Sequence, residues 1–76
     1  MKNKVMEILQ DVRVDVDFEK ETKLIDDKIL ESFDIISLVA ELNDEFEIEI
    51  GPKELTAENF NSVNSIISMI EGLKNE

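Results

Sequence analysis

The chain has 76 residues, with 19 acids against 8 bases and a formal net charge of −11. It contains no cysteine and no histidine, which excludes disulfide staples, thiolate metal sites and the usual general base. A charge this negative repels nucleic acid and anionic membrane surfaces and favours basic protein partners.

A chain of this length buries only about 60% of its unfolded surface, so a single domain over residues 1–76 with a small core is expected. No run is long and apolar enough to span a membrane, and no stable membrane insertion is expected. The opening MKNKVMEILQD is basic, but it reaches Glu7 and Asp11 without an apolar run. It is therefore not read as a secretory signal, and a cytoplasmic location is expected.

Val5, Ile8, Leu9 and Val12 recur at the spacing of one helical face, which predicts a helix over about 3–13 with Asn3 as N-cap. In the next segment Val12, Val14, Val16 and Phe18 alternate with Arg13, Asp15 and Asp17, a strand pattern. Residues 46–50 alternate too, but a ladder between the two would set acids opposite acids. Residues 14–31 are therefore read as a long loop whose apolar residues plug a helix bundle. The acids of 15–26 resemble a calcium loop only loosely, because Lys20 stands where the sharp turn needs glycine. No metal site is read there.

The stretch SFDIISLVAELNDEF, residues 32–46, predicts the second helix. At 100° per residue, Ile35, Val39, Leu42 and Phe46 share a narrow arc and form its core stripe. Phe33, Ile36 and Ala40 fall together more than a quarter turn away, giving this helix a second apolar stripe. Pro52 suits the first turn of a short helix over 52–58. Val63, Ile66, Ile67, Ile70 and Leu73 predict a last helix over about 62–73, with Asn61 or Ser62 as cap and Gly72 helping to end it. The fold class is all-α: a small bundle of three main helices and one short one.

Taken alone, Ser32 reads as a plain N-cap. No neighbouring histidine or lysine is placed to activate it as a nucleophile, so any reaction at Ser32 depends on an outside enzyme. The second stripe reads either as a patch covered in part by the loop 14–31, Phe33 above all, or as a docking surface. Charge favours docking. Between Lys28 and Lys53 lie seven acids and no base: Glu31, Asp34, Glu41, Asp44, Glu45, Glu47 and Glu49. A solvated helix face ordinarily mixes signs to gain i,i+4 pairs. A one-signed face forgoes them and suits steering.

The stretch KLIDDKILESFDIISLVAELNDEFEIEI, residues 23–50, resembles the acyl carrier protein family, including peptidyl and D-alanyl carriers. That family opens an acidic helix with Asp-Ser-Leu; here Glu31-Ser32-Phe33 stands in its place. The acidic approach Asp26-Asp27 and the ending at 45–50 match. Gly51-Pro52 and FNSVNSIISMIEGL, residues 60–73, resemble the family's short third helix and its last helix. Two positions depart from the pattern, Glu31 for aspartate and Phe33 for leucine.

The resemblance implies a monomeric carrier with no catalysis of its own. Ser32 would receive a covalent 4′-phosphopantetheine arm from coenzyme A through a magnesium-dependent phosphopantetheinyl transferase. The arm's thiol would hold acyl or aminoacyl groups as thioesters. A separate adenylating ligase would load it, and an acyltransferase or condensing enzymes would unload it. Fatty acid synthesis, peptide assembly and D-alanine transfer to cell-wall polymers are the candidate pathways. Phe33, Ile36 and Ala40 would form the apolar centre of the docking surface. Glu31, Asp34, Glu41, Asp44, Glu45 and Glu47 would meet partner enzymes around it. Two other readings need no modified serine: an acidic helical interaction module, and an enzyme working on carboxylates alone.

Overall fold

The computed structural model describes residues 1–75. Helices run over Lys2–Val12 (α1), Ser32–Phe46 (α2), Ala57–Phe60 (α3) and Val63–Lys74 (α4), with a single 3₁₀ turn at Pro52–Glu54. α1 packs on both α2 and α4, and α3 packs on α4. The all-α bundle of three long helices and a short one is as the apolar spacing predicts.

The apolar face of α1 buries Val5, Ile8 and Leu9, and that of α4 buries Val63, Ile66, Met69 and Ile70. On α2 the stripe is displaced from its predicted centre. Leu38 and Leu42 are fully buried, whereas Ile35, Val39 and Phe46 are only partly so. The fully buried pair thus lies to one side of the arc that the spacing centres on Ile35, Val39, Leu42 and Phe46.

The segment 14–31 carries no strand or helix and does plug the bundle. Phe18, Leu24 and Leu30 are all within 3% of full burial, and each contributes about 1.5–3 kcal/mol of apolar burial. Val14 is the exception and is exposed.

Three local expectations are corrected, and the open choice of cap for α4 is settled. α1 begins at Lys2 with Met1 in the cap position and no side-chain cap, so Asn3 caps nothing. The expected 52–58 helix is two pieces, because Thr56 Oγ1 accepts from the Asn59 N–H at 3.2 Å and starts α3 afresh. Ser62, not Asn61, caps α4, with Oγ accepting from the Ser65 N–H at 3.1 Å. Gly72 lies inside α4, which continues to Lys74.

Candidate functional site

The site is the first turn of α2 and the exposed side of that helix. Glu31 takes the N-cap position with extended backbone, and Ser32 is the first helical residue. This overturns the reading of Ser32 as a cap. Its side chain is exposed, and among the described residues its hydroxyl takes part in no hydrogen bond. The capping interaction comes from Asp34, whose Oδ2 accepts from the Glu31 N–H at 3.0 Å. A carboxylate in the first turn also opposes the positive end of the helix dipole.

Asp34 is itself held. Its Oδ2 accepts from Arg13 Nη1 at 3.2 Å, and the same Nη1 donates to the Ile29 carbonyl at 2.7 Å. Arg13 Nε and Nη2 grip both oxygens of Asp15, each at 3.2 Å. The hydrogen bonds to Asp15 and then to Asp34 raise the Arg13 guanidinium above its ordinary value. The hydrogen bond from Arg13 likewise lowers the Asp15 carboxyl. Sequence reasoning missed Arg13 altogether, because its partners lie up to 21 residues away.

Phe33 is 84% exposed and Ile36 65%. The loop 14–31 therefore does not cover Phe33, contrary to that reading of the second stripe. Ala40 is exposed on the same side. Glu31, Glu41, Asp44, Glu45 and Glu47 are exposed as well, and among the described residues none of them has an ion-pair partner. Asp34 stands apart from them, turned inward to Arg13 with its side chain 18% exposed. Glu41, Asp44 and Glu45 face Glu7 and Asp11 of α1 across an open groove that also holds Lys4. The acidic surface thus continues onto α1, which spacing along α2 alone did not reveal.

Beside the first turns of α2 lies an apolar recess of about 70 Å³, lined by Ile25, Ile35, Leu55, Thr56, Ala57 and Phe60. For scale, a dry protein cavity of about 150 Å³ takes one benzene-sized molecule. Leu55, at its edge, is 48% exposed.

The molecule is thus a small acidic helical bundle whose second helix opens on an exposed, unbonded serine beside an exposed apolar stripe. No family model matches the chain. Individual relatives do. An acyl carrier protein from Campylobacter fetus is 39% identical over 54 residues, covering 71% of this chain and 68% of that one. A D-alanyl carrier protein from Lactococcus lactis is 30% identical over an alignment of 78 positions, covering 100% and 99%. A D-alanyl carrier protein from Streptococcus uberis is 34% identical over 61 residues, covering 80% and 77%. The chain belongs to the acyl carrier protein family. Among the described residues no helix is long and apolar enough to cross a membrane.

Proposed function

We propose that this protein is a carrier whose Ser32 bears 4′-phosphopantetheine and that it performs no catalysis itself. The observation that carries the reading is the state of Ser32: exposed, unbonded, and first in a helix of 15 residues. Had the hydroxyl been spent on capping, modification would cost the helix its cap. Asp34 does the capping instead, which leaves Ser32 Oγ available. The helix N-terminus also favours a phosphate diester at that position, and Arg13 offsets the charge of Asp34 in the same turn. The residues present therefore fit the group.

In the transfer, Ser32 Oγ forms a bond to the phosphorus that bears the pantetheine end of coenzyme A. The phosphoanhydride bond breaks, adenosine 3′,5′-bisphosphate leaves, and the serine proton passes to a base on the transferase. When attached, the arm supplies a thiol that holds acyl groups as thioesters. The absence of cysteine and histidine suits this division of labour, since the chain needs neither a thiol nor a base of its own.

Phe33, Ile36 and Ala40 supply the apolar contact for partner enzymes. Glu31, Glu41, Asp44, Glu45 and Glu47 steer Lys- and Arg-bearing surfaces to it, raising on-rate and selecting partners. Asp34 serves the same surface by holding the turn beneath Ser32. The partners are the phosphopantetheinyl transferase, an adenylating ligase, and an acyltransferase or condensing enzyme, all met in the cytoplasm by a monomer. Phe33 in the second apolar stripe and the match to a D-alanyl carrier protein over the whole length of this chain favour the D-alanyl type of carrier. Replacing Ser32 by alanine is the test. It abolishes transfer of label from coenzyme A to the protein, whereas an acidic interaction module would keep its activity after the same change.

A further inference from the structure

Arg13 is the only arginine in the chain, and it joins three pieces of backbone that bracket Ser32. From the end of α1 its fork reaches Asp15 at the start of the long loop, the Ile29 carbonyl near the end of that loop, and Asp34 in the first turn of α2. Asp34 Oδ2 passes the contact on to the Glu31 N–H. The residue before Ser32 is thus held by its amide and the second residue after it by its carboxylate. A lysine has one point of charge and cannot serve these acceptors in fixed directions, whereas a guanidinium can.

We infer that Arg13 is a positioning residue for the acceptor hydroxyl, holding the Glu31–Asp34 turn so that Ser32 is presented in one orientation to the modifying enzyme. This rests on the carrier reading above. Arg13 touches no reacting atom. Its effect runs through Asp34 and Ile29, so it bears on the transfer step more than on docking, whose residues Phe33, Ile36 and Glu41 it does not contact.

The test compares the full chain with Arg13→Gln, Arg13→Lys and Asp15→Asn, using coenzyme A, magnesium and a broad-specificity phosphopantetheinyl transferase. Assays are run at a temperature where all four give the same helical circular dichroism. Arg13→Gln is expected to lower kcat about tenfold, the equivalent of one hydrogen bond to a charged group, with KM nearly unchanged. Arg13→Lys restores the charge but not the fork and is expected to stay near Arg13→Gln. Asp15→Asn weakens the grip on Nε and Nη2 but leaves the Nη1 contacts in place, and is expected to fall between wild type and Arg13→Gln. Amide hydrogen exchange at Glu31 should accelerate in Arg13→Gln while Ile66 and Ile70 of α4 stay protected.

If wild type is modified and Arg13→Gln matches it in kcat and in Glu31 exchange, the inference falls and the carrier reading stands. Full recovery by Arg13→Lys would also overturn it, by reducing the role to charge alone. If neither wild type nor Glu31→Asp accepts the group, the carrier reading fails and this inference with it; if Glu31→Asp alone accepts it, the same comparison of Arg13 variants is made in that background.

Discussion

The side-chain oxygen of Asn61 lies 3.0 Å from the backbone nitrogen of Ile25 and 3.1 Å from that of Asp26. Its carbonyl accepts from the Leu24 N–H at 2.9 Å, and its Nδ2 donates to Asp26 Oδ2 at 3.2 Å. One residue between α3 and α4 therefore anchors the middle of the long loop. Asn61→Ala strands two backbone donors, one of them half-buried. It is expected to cost about 1–3 kcal/mol, a fall in Tm of roughly 4–8 °C per kcal/mol in a domain this small. Thermal unfolding by circular dichroism reads it directly.

Gly72 invites the opposite change. It sits in the interior of α4, and a Cβ built there meets nothing within 4 Å. Gly72→Ala is expected to stabilise the protein by about 0.5–1 kcal/mol, since glycine loses more backbone freedom than alanine on entering a helix. Urea unfolding should show a higher midpoint with an unchanged m-value.

These two residues mark what the sequence could and could not convey. Apolar spacing located α1, α2 and α4 within a residue or so, because each buries one continuous face. It misplaced the centre of the α2 stripe, since Leu38 is fully buried and which side of a helix its neighbours cover is not written in that helix's own periodicity. Thr56 was a cap signal available in the sequence, and reading it would have split the expected 52–58 helix correctly. The exposed stripe of Phe33 and Ile36 was visible as a surplus of apolar residues, and Ser32 by its place at the start of that helix. The contacts of Arg13 with Ile29 and Asp34, and those of Asn61 with Ile25 and Asp26, were not, because each depends on loop closure across 16 to 36 residues.

The acidic face makes a kinetic prediction. Glu41 and Glu45 are exposed and face Glu7 and Asp11 across the α1–α2 groove, so replacing both with lysine relieves repulsion and does not threaten the fold. Loading by a partner ligase is expected to slow about tenfold or more at low salt. At 1 M salt, where the Debye length is about 3 Å, the difference should nearly vanish. Equal loading rates at low salt would remove the steering role from this face.

The recess beside α2 makes a prediction about the load. Acyl groups of two and eight carbons, installed from the corresponding acyl-coenzyme A, are expected to give the same Tm. A chain that entered the bundle would gain about 0.8 kcal/mol per buried methylene, so a Tm rising with chain length would mean that the recess opens to admit it.

The most direct measurement is intact mass before and after incubation with coenzyme A, magnesium and a broad-specificity phosphopantetheinyl transferase, with a known carrier modified alongside. Wild type is expected to gain one phosphopantetheine group and Ser32→Ala none. An unmodified, folded wild type would first direct attention to Glu31, which departs from the Asp-Ser-Leu pattern of the resemblance. If Glu31→Asp also gained no mass, the claim that Ser32 is a carrier attachment site would be contradicted.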